Sequence, residues 1–167
     1  MSTKAERDAA EPRVKEAIEL AVGENVHAAM YLRLLGQTAR MLDDLADGDH
    51  GPVDIGWLAH LLLVALPRNP FFAANSAHLV PLHDAALNAW QDANEMDPDT
   101  RLEATKFWAS WLNEIVCVVA GLTGGYNHRR KVSPQIRGLL YPGWDDEENK
   151  VEARDNGLER PLCTVNT

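Results

Sequence analysis

Apolar positions recur along the first third of the chain at alternating steps of four and three. Val14, Ile18, Ala21, Asn25, Ala28, Leu32, Leu35, Ala39, Leu42 and Ala46 follow this spacing, which is the seam of a helix packed lengthwise against others. Asn25 is the polar exception, in a position where asparagine can fix register by hydrogen bonding inside the seam. Glu11-Pro12 supplies a start, because proline at a first helical position gives up no hydrogen bond. Asp47-Gly48-Asp49-His50-Gly51 supplies the stop. The pattern predicts one long first helix, with Val22, Val26, Ala29 and Met30 widening its stripe as in a bundle member.

Pro52 then opens an apolar stretch over residues 53–66, interrupted only by Asp54 and His60 and ended by Pro67. A helix apolar on every side is a buried one, so this segment is expected at the centre of the core. Asn69 and Pro70 form a cap and first turn for a third helix. Pro81 removes one of its hydrogen bonds and predicts a kink or break. Beyond it Leu82, Ala86, Trp90 and Ala93 make one stripe, and Asp84, Asn88, Gln91 and Glu95 make the opposite, polar face.

Asp97-Pro98-Asp99-Thr100 is the next start signal, with acidic charge at the positive end of the helix dipole. Its stripe of Ala104, Trp108, Trp111, Ile115, Val118 and Leu122 runs to a stop at Gly124-Gly125. Residues 126–131 read as a basic connector, and Ser133-Pro134 as the cap of a short last helix ending near Leu140. The expected fold class is all-α, a compact bundle of about five helices. Residues 1–11 are expected as a flexible lead-in, 12–143 as the bundle, and 144–167 as a flexible acidic tail.

Composition supports one domain able to build its own core: 167 residues, 46% hydrophobic and 25% charged. The formal net charge of −9 argues against a protein devoted to gripping nucleic-acid phosphate. Cys117 and Cys163 give no disulfide framework or cysteine-rich zinc site. With a polar N-terminus and apolar runs short of the ~20 residues of a membrane span, a reducing, cytoplasmic setting without membrane insertion is expected.

His60, His78, the adjacent His83-Asp84 and the later Asp92 resemble, in residue order, an HD-type metal phosphohydrolase. That resemblance implies a divalent metal ion, with His60, His78, His83 and Asp84 as ligands, activating water. Against it, Asp84 falls on the polar helix face, Pro81 disturbs the relative direction of His78 and His83, and Ala85-Ala86 replace the usual glycine and lysine. The surface reading of Asp84 is preferred. His60, within an apolar run, is expected to be a buried histidine satisfied by an ordinary acceptor.

Glu24-x-x-His27 has the spacing of a di-iron bundle ligand pair but lacks a second copy. The segment from Asp47 fails as a calcium loop, because Pro52 and Leu58 stand where the loop needs glycine and glutamate. Glu114 lies among Trp111, Leu112 and Ile115 and is the one catalytic candidate. A structural role is preferred for it, at the helix edge or paired with Arg33 or Arg129. Arg129, Arg130, Lys131 and Arg137 hold four of the sixteen basic residues and are candidates for binding an anion or an acidic partner.

These features make a non-enzymatic interaction or assembly protein the leading expectation, self-associating or binding a protein partner through exposed aromatics such as Trp57, Tyr141 or Trp144. No cofactor is expected on that reading. The alternatives are the metal-dependent phosphohydrolase and a nucleic-acid accessory factor acting through residues 129–137. The general character is similar to a phage or mobile-element accessory protein, but no defined residues carry that likeness and no function follows from it.

Overall fold

The computed structural model describes residues 4–48, 55–96 and 111–141. They form an all-α bundle of five helical segments, with no strand among the described residues. Helix α1 is Lys4–Val22 and α2 is Val26–Asp47. The third segment, α3, begins as Ile55–His60, passes through a π-helical turn at Leu61–Ala65 and ends as Leu66–Arg68. Helix α4 is Pro70–Glu95 and α5 is Trp111–Leu140.

The predicted long first helix is two helices. Gly23 adopts a left-handed φ of 55°, and its N–H closes α1 on the Glu19 carbonyl at 3.1 Å. Asn25 is no seam residue; it is exposed and caps α2, accepting from the Ala28 N–H at 3.0 Å. The four-three spacing survived the break because the flanking residues, Ala21 and Ala28, are both buried, in different helices. The start also lies earlier than Pro12, which sits inside α1.

The antiparallel geometry of α5 is set by Gly125, whose φ of 78° and ψ of −176° interrupt the helix. Glu114 meets Arg137 across this point, and Gly121 faces Arg129. These nested pairs show that the chain doubles back as a helical hairpin. The Gly124-Gly125 stop was therefore legible, but residues 126–131 are helical rather than a connector, and Pro134 lies within the second arm.

Helix α1 packs chiefly along this hairpin. The Thr123 hydroxyl donates to the Ala21 carbonyl at 2.8 Å, and the His128 ring reaches the same oxygen at 3.2 Å. They satisfy a carbonyl that the end of α1 leaves without a helical partner. Helices α2 and α4 run in the same direction, His27 beside Asn69 at one end and Asp43 beside Trp90 at the other. Buried Asn69 joins them: it caps α4 through Phe72 N–H and donates to the His27 carbonyl, both at 3.0 Å. Pro81 does not break α4, which continues to Glu95.

The core draws Ile18 and Ala21 from α1, Tyr31 and Leu32 from α2, Leu79 and Ala86 from α4, and Ile115, Val119 and Ile136 from α5. No described helix is long and apolar enough to cross a membrane. The expected stripe residues Ala104 and Trp108, the Asp97 start signal and the tail from Trp144 lie outside the described residues.

Candidate functional site

The segment expected at the centre of the core lies largely on its surface. Only Leu58, Leu61 and Leu66 of α3 are buried, while Ile55 is 68% exposed, Leu63 76%, and Trp57 and Leu62 42% each. The π turn accounts for the part of the difference that falls on residues 61–66. In an uninterrupted α-helix the core partner of Leu61 is Ala65, four residues on. Here the Leu66 N–H bonds back to the Leu61 carbonyl, five residues away, so Leu61 and Leu66 share the inward face and Leu62 and Leu63 face out. Helix α2, against which α3 packs, adds exposed Val26 and Met30.

The expected buried His60 is exposed, stacked on Trp57 with ring centroids 5.3 Å apart. His78 and Asp84 are also exposed on α4. His83 turns inward, where its Nε2 lies 2.6 Å from the Tyr31 hydroxyl and its ring stacks on Tyr31 and Phe72. Burial pushes the Tyr31 phenol up and the His83 imidazole down, so this is a neutral hydrogen-bonded pair. Among the described residues no three His, Cys, Asp or Glu side chains gather as a metal-ligand set, and the four HD-like residues are not brought together.

Glu114 pairs with Arg137, not with Arg33 or Arg129. The guanidinium Nε donates to Oε1 at 2.8 Å and Nη2 to Oε2 at 2.6 Å, a two-point fork across the α5 hairpin. That fork raises the pKa of Arg137 further. A carboxylate held in this way links the two arms of the hairpin.

The basic group divides. Arg129, Arg130 and Arg137 line a pocket of about 310 Å³ with Tyr126, Ser133 and Pro134. Lys131 is exposed but does not line it. The connector expected over residues 126–131 and the cap expected at Ser133-Pro134 do not join Tyr126, Ser133 and Pro134 to the arginines; only a continuous helix there places residues 126, 130 and 134 on one face and 129, 133 and 137 beside it. Of the three expected interface aromatics, Trp57 is exposed, Tyr141 is partly buried with contacts of its own, and Trp144 lies outside the described residues. Comparison with family models, with curated proteins and with solved structures found no match.

Proposed function

We propose that this protein is a non-enzymatic helical assembly protein that associates with a second copy of itself through the outer face of α3. The observation that carries the reading is the outward display of Ile55, Trp57, Leu62 and Leu63 within nine residues, the two leucines lying within the π turn. Removing a large apolar side chain from water is worth roughly 1.5–3 kcal/mol when fully exposed to begin with. At half that value, eight such side chains across a two-fold interface supply roughly 6–12 kcal/mol, comparable with the ~4–15 kcal/mol cost of association. Self-association is therefore concentration-dependent rather than permanent. The polar rim of such a contact comes from His60 and Arg68, both exposed on α3.

Light scattering over a concentration series tests the reading. The wild-type mass rises toward the dimer at high concentration, and Leu63→Asp keeps the chain monomeric without changing its helical signal. A wild-type monomer throughout, or a dimer unaffected by Leu63→Asp, contradicts it. The metal-dependent phosphohydrolase has less support, since His83 is committed to Tyr31 and the other three residues are dispersed on the surface.

A further inference from the structure

We propose that the pocket on the second arm of the α5 hairpin binds a small phosphate monoester carrying a planar group. From Arg129 to Arg137 the arm holds four cationic residues, and no Asp or Glu occurs between Glu114 and Asp145. Glu114 is committed to two nitrogens of Arg137. Among the described residues, Arg129 and Arg130 have no ion-pair partner. Three guanidiniums set against one carboxylate leave two positive charges at the pocket, which match the dianion of a phosphate monoester. The planar forks suit phosphate oxygens, which they hold by paired hydrogen bonds.

Ser133 is a second and independent feature. The residue is 6% exposed and lines the pocket, and its hydroxyl makes no hydrogen bond to nitrogen or oxygen among the described residues. It interacts with the Cys117 thiol, a weak partner for a buried hydroxyl. A ligand oxygen that displaced the side chains covering it would satisfy that hydroxyl, since buried polar groups are as a rule hydrogen-bonded. Arg129 is held in place by its stem, which lies across Gly121; a Cβ there would come within 3.3 Å of Arg129 Cδ. Tyr126, 74% exposed at the rim, offers a ring face on which a planar group stacks. The volume of about 310 Å³ fits a small ligand.

Isothermal titration of the full chain with phenyl phosphate, inorganic phosphate and a twelve-residue oligothymidylate, each at low salt, tests the site. Phenyl phosphate binds more tightly than inorganic phosphate, and Tyr126→Ala removes that advantage. Arg129→Ala and Arg130→Ala each weaken both about ten-fold or more, and Ser133→Ala weakens them a few-fold. Lys131→Ala, a neighbouring charge outside the pocket, has little effect. Affinity rises with pH through about 6 as the monoester gains its second charge. Leu63→Asp leaves the binding unchanged, so the site stands or falls apart from self-association. No heat with either phosphate, equal losses in Lys131→Ala and Arg129→Ala, or tighter binding of the oligonucleotide than of phenyl phosphate overturns the proposal. Thermal melts confirm that the exposed arginine variants remain folded.

Discussion

His83 shows how one side chain changes meaning between sequence and structure. Beside Asp84 it has the look of a ligand, yet helical spacing already assigned Asp84 to the face of Asn88, Gln91 and Glu95, and all four are exposed. What no spacing could show is Tyr31, 52 residues away, closing on the imidazole at 2.6 Å. Because burial lowers the His83 pKa, the folded state binds fewer protons than the unfolded state near the ordinary histidine value of about 6.5. Stability from this pair is therefore full above about pH 6.5 and declines as the pH falls below it. Melting temperatures between pH 5 and 7 are expected to fall on acidification, with a shallower slope in His83→Gln, which cannot titrate. An equal slope in the variant places the titrating group elsewhere.

At the scale of elements, the Asn69 cap and the Gly124-Gly125 stop were legible, while the Asn25 cap, the break at Gly23 and the π turn were not. Asn69-Pro70 opened α4 as expected, because that cap depends only on residues adjacent in sequence. The break at Gly23 was hidden because the two flanking helices keep the same apolar spacing, and the π turn was hidden because residues 61–66 are apolar throughout and so carry no periodicity. Two substitutions test the backbone reading together. Gly125→Ala meets no side-chain obstruction but occupies a φ, ψ region almost restricted to glycine, and is expected to destabilise by about 1–3 kcal/mol. Gly36→Ala, in open space within α2, is expected to stabilise by about 0.5–1 kcal/mol. Chemical denaturation resolves both signs. Deleting Leu63 removes the extra residue of the π turn while keeping Leu61 and the present Leu66 on one face. The variant is expected to melt within a few degrees of wild type and to lose self-association; a large loss of stability shows that the turn itself holds the core together.

For the molecule as a whole, composition and periodicity pointed to a helical bundle, and the core residues Ile18, Leu32, Ala86 and Ile115 came from the expected stripes. The two proposed surfaces were harder to read because each depends on a local departure from regular helix: the outward leucines on the π turn, and the arginine pocket on a hairpin whose second arm begins within residues 126–131, where the sequence suggests a connector. The two proposed surfaces lie on different elements, α3 and α5, so a substitution in one is expected to leave the other intact. Hydrogen exchange of the wild-type chain at low and high protein concentration tests the assembly most directly. Self-association through α3 predicts that amides of residues 55–65 gain protection with concentration while those of the α5 core, around Val119, do not change. Exchange in α3 that is independent of concentration, measured where the protein is dimeric, would place the interface elsewhere; a chain that stays monomeric throughout would contradict the assembly itself.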